Sequence, residues 1–216
     1  MKYKLAIFDL DGTILNTLGD LADSCNAVLK TYNMPLHTYD EIRFMVGNGI
    51  PKLVERAVPQ GKENPLYEKV LESYIEYYEK HCAEKTCPYD GILNALMQMK
   101  NAGMKIAVNT NKVSQAAQDL CSHYFNGIFD YICGSSPDIP VKPAPDGVNK
   151  ILNQSGIKKE DTVYIGDSDV DIQTGKNAGI DVISVAWGFR GETFLQEHCA
   201  SCIVQNTQQL LEKLEI

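Results

Sequence analysis

Short apolar runs alternate with helix-like patterns along this chain, and that alternation restricts the fold more than any other feature of the sequence. The runs have the length and composition of buried strands. They stand at residues 3–8, 105–110, 131–133, 162–166 and 181–186. Strands joined through helices run in the same direction, since each crossover returns the chain to the edge from which it started. The sequence therefore predicts an α/β fold with a doubly wound parallel sheet and helices on both of its faces.

The interval between the first two runs is the exception, because it is far longer than a crossover requires. Thr38 and Glu41 have the spacing of a capping box at the start of a helix. A tyrosine-rich stripe at 66–81 has helical spacing and predicts the buried core of an inserted unit. We therefore predict an all-helical cap domain at 16–86, inserted into a core domain formed by residues 1–15 and 87–216.

The charge balance argues against one large class of partners. The chain has 20 Lys and Arg against 28 Asp and Glu, a net charge of −8, and no basic stripe or tail. Since nucleic-acid binding depends mainly on neutralising phosphates, we expect no nucleic-acid partner. No run approaches the ~20 apolar residues that span a bilayer, and the first residues lack the pattern of a signal peptide. We expect a cytoplasmic protein with no membrane partner, monomeric by default, with a dimer as the alternative.

The seven cysteines do not have the pattern of a disulfide framework, because their number is odd and their separations are irregular. His198, Cys199 and Cys202 resemble half of a zinc site, but no second Cys or His pair stands at a suitable spacing. We therefore expect the thiols to be buried or incidental to function.

Polar residues follow four of the predicted strands. In open parallel sheets, ligands bind beyond the carboxyl ends of the strands, so these residues are candidates for one shared site. In chain order they are Asp9 and Asp11, the segment from Asn109 to Lys112, Lys142, and the segment from Asp167 to Asp171. Within the second segment, Asn111 and Lys112 are interpreted as residues at the start of a helix, where a backbone N–H would face a bound phosphate.

The chemistry of these four segments is complementary. Asp9, Asp11 and Asp167 would repel each other in one crevice unless a hard divalent cation such as Mg²⁺ neutralised them. Lys142, the Thr110 hydroxyl and nearby backbone N–H groups would together hold an anion. Such a site favours phosphoryl transfer, with one carboxylate as the nucleophile and another as the acid and base. The spacing does not decide which carboxylate has which role.

In this order the segments resemble the four motifs of the haloacid dehalogenase superfamily, as DLDGT, NTNK, an isolated Lys-Pro and GDSDVD. The resemblance covers about residues 5–190 and implies a Rossmann-like core with a C1-type helical cap. It implies that Asp9 is the nucleophile and Asp11 the general acid and base. The other implied residues are Thr110 and Lys142 at the phosphoryl group, with Asn111 beside them; Asp9, the Asp11 backbone carbonyl and Asp167 at Mg²⁺; and Asp171 in support of the metal or of Lys142.

Two further segments, MVGNGIPKLVERAV at 45–58 and AWGFRG at 186–191, are similar to phosphoglycolate phosphatases and their relatives within that superfamily. In similar enzymes a loop of the cap contacts the substrate and contributes to specificity. The resemblance therefore implies a set of substrate contacts in the predicted cap, where Gly47 and Gly49 also suit a plain turn. The members of this set are Arg43, Gly47, Asn48, Gly49 and Lys52.

These residues favour a Mg²⁺-dependent phosphatase that acts on a small phosphorylated metabolite through an aspartyl-phosphate. Phosphoglycolate, a sugar phosphate, a nucleotide or pyrophosphate would all suit the site. A sugar phosphomutase has the same motifs and returns the phosphoryl group to its substrate rather than to water. A phospho-accepting signalling module also uses Asp, Thr and Lys, but it needs no cap. A dehalogenase proper is disfavoured, since that branch needs no Mg²⁺ and does not normally carry an acid at the position of Asp11.

Overall fold

The computed structural model describes residues 1–216, which form two compact units. The first unit joins Met1–Leu15 to Pro88–Ile216, and the second is Asn16–Cys87. The sequence-based boundary differs at Cys87, which belongs to the second compact unit. None of the helices combines the length and the apolar composition needed to cross a lipid bilayer.

Six parallel strands form the main sheet, in the order β5-β4-β1-β6-β7-β8, and β2 pairs with β3 in a separate two-stranded sheet. β1 lies at the centre of the main sheet, and all four of its residues are buried. In chain order the strands are β1 (Leu5–Phe8), β2 (Leu15–Asn16), β3 (Cys87–Pro88), β4 (Lys105–Val113), β5 (Tyr131–Ser135), β6 (Thr162–Gly166), β7 (Asp181–Val185) and β8 (Ile203–Val204).

Ten α-helices accompany the strands, four of them in the second unit and six in the first. Those of the second unit are α1 (Leu18–Thr31), α2 (Tyr39–Met45), α3 (Ile50–Ala57) and α4 (Tyr67–His81). Those of the first unit are α5 (Ile92–Asn101), α6 (Ser114–Phe125), α7 (Asp146–Ser155), α8 (Asp169–Ala178), α9 (Gly191–Glu197) and α10 (Thr207–Leu214).

The main sheet carries a hydrophobic cluster on each face. One cluster joins Phe8 and Val108 to buried side chains of α5, α6 and α10. The other joins Ile7 and Ala107 to side chains of α7 and α8. Neighbouring residues of one strand enter opposite clusters because side chains alternate across a sheet. Helices on both faces of a parallel sheet confirm the predicted doubly wound α/β fold.

All five predicted strands of the sheet are present, and β8 was missed because two residues give no recognisable apolar run. The interpretation of Asn111 and Lys112 as helix-start residues is wrong. Both lie in β4, and α6 begins only at Ser114. The strand continues through this polar segment because it pairs with β5 in an irregular register, which matches Asn109 to Cys133 and Val113 to Ser135.

The helices of the second unit follow the pattern predicted for it. The capping box at the start of α2 is confirmed, since the Thr38 hydroxyl accepts from the Glu41 N–H and the Glu41 carboxylate accepts from the Thr38 N–H. Tyr74 and Tyr78 of α4 are buried, as the stripe predicted. Leu66 and Tyr77 are exceptions, because both are exposed; Tyr77 stacks on His81.

We expect Thr38→Ala to lower the free energy of unfolding by about 1 kcal/mol, because the substitution leaves an N-terminal N–H of α2 without its cap. Thr31→Ala is the matched control. Thr31 is exposed in the last turn of α1, where its hydroxyl donates only to the Ala27 carbonyl of the same helix. Chemical denaturation followed by circular dichroism should show the loss for Thr38→Ala alone, and equal values for both variants would contradict the assignment.

Candidate active site

The register of the three central strands brings distant parts of the chain to one edge of the sheet. Phe8, the last residue of β1, is level with Val108 of β4 and with Ile165 of β6. Asp9 therefore lies at the same edge as the polar end of β4 and the segment that begins at Asp167. The candidate site lies wholly within the first unit.

Asp9 is buried directly after β1, and main-chain bonds fix its position. Its N–H donates to the Ile165 carbonyl at 2.9 Å, and its Oδ1 accepts from the Leu10 N–H at 2.7 Å. The Lys142 ammonium lies 2.8 Å from the same Oδ1. Burial raises the pKa of the Asp9 carboxyl to about 7, although Lys142 opposes that rise. Without a further positive charge, the negative form of Asp9 is therefore costly.

Both the main chain and the ammonium of Lys142 are fixed by partners. Its N–H donates to Asn111 Oδ1 at 2.7 Å, and its carbonyl accepts from Asn111 Nδ2 at 3.2 Å. The side-chain amide of Asn111 therefore forms two hydrogen bonds with the main chain of Lys142. The buried ammonium contacts Asp9 and lies 2.7 Å from Asp171 Oδ1. Burial by itself would lower the pKa of Lys142, but Asp171 and Asp9 outweigh it and raise the pKa well above its usual value. Lys142 is therefore a fixed positive charge.

Asp171 joins this lysine to the start of α8. Its Oδ2 accepts from the Ser168 hydroxyl at 2.6 Å and from the Ser168 N–H at 3.1 Å, and these bonds form half of a capping box. Its Oδ1 accepts from Lys142. Both oxygens are thus engaged, and the carboxylate is fixed between a helix start and an ammonium.

Asp167 lies on the other side of the cluster and is buried as well. Its Oδ2 accepts from the Phe189 N–H at 2.7 Å, and the Thr13 hydroxyl lies 3.4 Å from its Oδ1. Burial raises the pKa of Asp167 well above its usual value, and the charges of Asp171 and Asp9 raise it further. Two buried acids with raised pKa values at one place indicate a site built for a cation.

Two glycines let the chain approach Asp167 closely. Gly12 has a φ of 82°, and a Cβ atom on it would lie 2.6 Å from Asp167 Oδ2. A Cβ atom on Gly188 would lie 2.2 Å from the Gly12 carbonyl and 2.3 Å from the Asp167 Cβ. No other residue fits either position without displacing the carboxylate. The conformation of Asp167 therefore depends on two segments far away in the sequence.

Asp11 has a different partner from the other acids. The Lys112 ammonium lies 3.2 Å from Asp11 Oδ1, in an ion pair that lacks the alignment of a hydrogen bond. Lys112 is buried, and its N–H donates to the Thr110 hydroxyl at 3.2 Å. Sequence reasoning missed this pair. The pair had no clear signal in the sequence, because Lys112 follows the apolar run and its strand conformation depends on irregular pairing with β5.

The acids of this cluster suit a hard divalent cation. One oxygen from each of Asp9, Asp167 and Asp171 lies within 4.8 Å of the others, and all three residues are buried. Carboxylate oxygens are ligands that Mg²⁺ prefers. With Asp11, Lys112 and Lys142 included, these six groups carry four negative and two positive charges when all are ionised, so a divalent cation would balance them.

The second unit contains the other predicted site residues. Gly47 and Gly49 have φ values of 120° and 82°, which glycine adopts most readily, so a turn needs both. Arg56, which the sequence did not single out, fixes this loop by donating to the Met45 carbonyl and, at 2.9 Å, to Asn48 Oδ1. No local pattern marks such a contact.

Two charged residues predicted to contact the substrate have neighbours on their own helices. Lys52 Nζ lies 2.7 Å from Glu55 Oε1. Arg43 lies 3.4 Å from Asp40 Oδ1, and its guanidinium lies over the Phe44 ring. Both pairs are separated by one helical turn. Their role towards a substrate stays a prediction.

The seven cysteines are all free thiols. Burial raises the pKa of the Cys25 and Cys121 thiols to about 12, which keeps both protonated and unreactive near neutral pH. Cys199 is exposed and Cys202 is partly buried.

Comparison with known proteins places this geometry in context. The sequence profile of the haloacid dehalogenase-like hydrolases matches residues 6–185. The chain is 31% identical over 191 residues to the phosphoglycolate phosphatase of Aquifex aeolicus (strain VF5), with 86% of each protein covered. It is 27% identical over 213 residues to the pyrophosphatase PpaX of Halalkalibacterium halodurans, with 98% of this chain and 97% of that protein covered.

Solved structures give the same result for the fold. A crystal structure of a candidate phosphoglycolate phosphatase from Lactobacillus delbrueckii subsp. bulgaricus superposes with a TM-score of 0.95, at 36% identity and with 99% of each chain covered. The resemblance found from the four motifs is therefore confirmed along nearly the whole chain.

We expect Gly188→Ala to lower the affinity for a divalent cation by about 10- to 100-fold, because the added Cβ would displace Asp167. Gly156→Ala is the control. Gly156 has a φ of 67° with open space around its Cβ position, so its variant carries backbone strain without a clash. Calorimetric titration with Mg²⁺ should separate the two variants, and equal affinities would contradict the part assigned to Gly188.

Proposed function

Because the chain belongs to the family of haloacid dehalogenase-like hydrolases, we propose that it is a Mg²⁺-dependent phosphatase that hydrolyses a small phosphorylated metabolite through an aspartyl-phosphate. The observation that carries this proposal is the placement of Asp9. Its buried carboxylate is fixed by main-chain bonds, contacts the Lys142 ammonium, and faces two further buried acids. Such an arrangement suits a nucleophile that works beside a cation.

In the first step, an oxygen of Asp9 attacks phosphorus and the bond to the leaving oxygen breaks. Lys142 stabilises the charge that gathers on the transferring group, since its ammonium is already fixed beside Asp9. Thr110 Oγ1 accepts from the Lys112 N–H, so its own hydrogen is available for a phosphoryl oxygen. In this proposal, Lys142 and Thr110 bind the transferring phosphoryl group.

Asp11 moves the protons. It gives a proton to the leaving oxygen in the first step and takes one from water in the second. The water oxygen then attacks phosphorus, the bond to Asp9 breaks, and phosphate and the free carboxylate are regenerated. Positioned acid–base catalysis supplies about 10²–10⁴-fold, whereas phosphate-monoester hydrolysis needs up to ~10²¹-fold. The charged groups around Asp9 must therefore supply most of the acceleration.

Asp9, Asp167 and the Asp11 carbonyl would hold Mg²⁺, with Asp171 beside them. When bound, the ion would offset the mutual repulsion of the acids and draw charge from the transferring phosphoryl group. The raised pKa values of Asp9 and Asp167 support this assignment, because both carboxylates need a positive charge to stay ionised near neutral pH.

Phosphoglycolate is the first substrate to test, since several relatives are named phosphoglycolate phosphatases. Pyrophosphate is the second, because a relative of similar length is named a pyrophosphatase. We assign the choice between such substrates to the second unit, which acts as the cap. The residues proposed for this choice are Arg43, Gly47, Asn48, Gly49 and Lys52.

The primary experiment measures phosphate release from a panel that contains 2-phosphoglycolate, sugar phosphates, nucleotides and pyrophosphate, with Mg²⁺ and with a chelator. We expect Mg²⁺-dependent release from one member far above the rest. Transfer of the phosphoryl group to another position of the substrate, without free phosphate, would instead show a mutase.

We expect Asp9→Asn to abolish turnover while the fold is kept, because the amide is a far weaker nucleophile than the carboxylate. The matched control is Asp146→Asn, the same substitution at an exposed residue in the first turn of α7. Acid quenching followed by mass spectrometry should find phosphate on Asp9 in the wild type and none in Asp9→Asn. Residual activity above a few per cent in Asp9→Asn would overturn the nucleophile assignment.

A further inference from the structure

We propose that Lys112 is a positioning residue for the reaction and that it holds the Asp11 carboxylate in the orientation needed for proton transfer. The proposal rests on the proposed function, in which Asp11 is the acid and base. It adds a second lysine to the site, with a task separate from that of Lys142.

The burial of Lys112 is the first observation. Lys112 and Lys142 are the two buried lysines of the chain, and the side chain of each is only 4% exposed. Burying an ammonium costs free energy unless an opposite charge is paired with it. Lys142 contacts Asp9 and Asp171, whereas Lys112 contacts Asp11. The two lysines thus contact different acids of the site.

The path of β4 explains how Lys112 reaches Asp11. Ile106 and Val108 lie in the hydrophobic cluster that also contains Phe8 and Leu10 of the neighbouring chain segment. Thr110 and Lys112 are buried as well, in the segment where the pairing with β5 is irregular. β4 extends beyond the end of β1, so its last residues lie near the segment that follows β1, and the Lys112 ammonium contacts Asp11 there.

The contact also links two parts of the reaction. The Lys112 N–H donates to the Thr110 hydroxyl, which we assign to the phosphoryl group, and the Lys112 ammonium lies beside Asp11 Oδ1. One residue therefore fixes the spacing between the phosphoryl site and the proton donor. Since the ammonium engages Oδ1, we assign proton transfer to Oδ2. Misplacement of a catalytic group by about 1 Å can cost roughly 100-fold in rate.

Leaving groups of different basicity test this role. An alkyl phosphate needs a proton on its leaving oxygen, whereas p-nitrophenyl phosphate has a leaving group that departs with little help. The value of kcat/KM reports the steps up to release of the leaving group. We expect Lys112→Met to lower kcat/KM by about 100-fold for the alkyl phosphate, and by a much smaller factor for p-nitrophenyl phosphate. Lys112→Arg, which keeps the charge, should recover part of the loss.

Lys105→Met is the matched control. Lys105 lies on the same strand, is exposed, and forms an ion pair with Asp130 at 2.7 Å. We expect its kcat/KM to equal that of the wild type for both substrates. Equal losses for both substrates in Lys112→Met would overturn the proposal in favour of a structural or charge-binding role, and so would the absence of any loss.

A double-mutant cycle keeps the test decisive if Lys112→Met is unstable. The variant that combines Lys112→Met with Asp11→Asn leaves neither charge unpaired in the site. We expect its kcat/KM for the alkyl phosphate to match that of Asp11→Asn alone, because two residues that act through one contact do not have additive effects. Fully additive losses would contradict the proposal. A wild type that is inactive on both substrates would instead count against the proposed function.

Discussion

A buried ammonium between two buried carboxylates is the interaction on which the rest of the site depends. Lys142 lies 2.8 Å from Asp9 and 2.7 Å from Asp171, and so joins the end of β1 to the start of α8. Removing one partner of such a buried network costs about 3–5 kcal/mol, because the remaining charge is left without compensation. Asn111, near the end of β4, hydrogen-bonds to the main chain of Lys142, so β4 is joined to the same network.

The site concentrates like charge in a way that a merely stable protein would avoid. The buried carboxyls of Asp9 and Asp167 both have raised pKa values; burial is the main cause at each, and the charge of Asp171 adds to both rises. Close main-chain approach at Gly12 and Gly188 holds Asp167 in this position. The free energy that pays for this arrangement comes from the apolar clusters on the two faces of the sheet. The clustered acids lower the stability of the fold locally, and the well-packed core tolerates that loss.

The sequence predicts the positions of some of these residues and not of others. Asp9 and Asp167 follow apolar strands, and parallel strands end at one edge, so their proximity could be predicted from the pattern alone. Lys112 was interpreted wrongly because Asn111 and Lys112 are polar and follow the predicted strand at 105–110. Its strand conformation comes from irregular pairing with β5, which is a tertiary effect. Arg56 was missed for a similar reason, since its contact with Asn48 depends on the path of a loop.

The position of β1 at the centre of the sheet has a consequence for the order of events on the ribosome. Leu5 is synthesised long before its partners in the sheet, Lys105 and Thr162. Asp9, which directly follows β1, therefore leaves the ribosome long before β4 and β6, the strands on either side of β1. The second unit, by contrast, is one continuous segment that is complete once Cys87 has been synthesised. During synthesis it can fold first, whereas β1 cannot pair until β4 and β6 have been made.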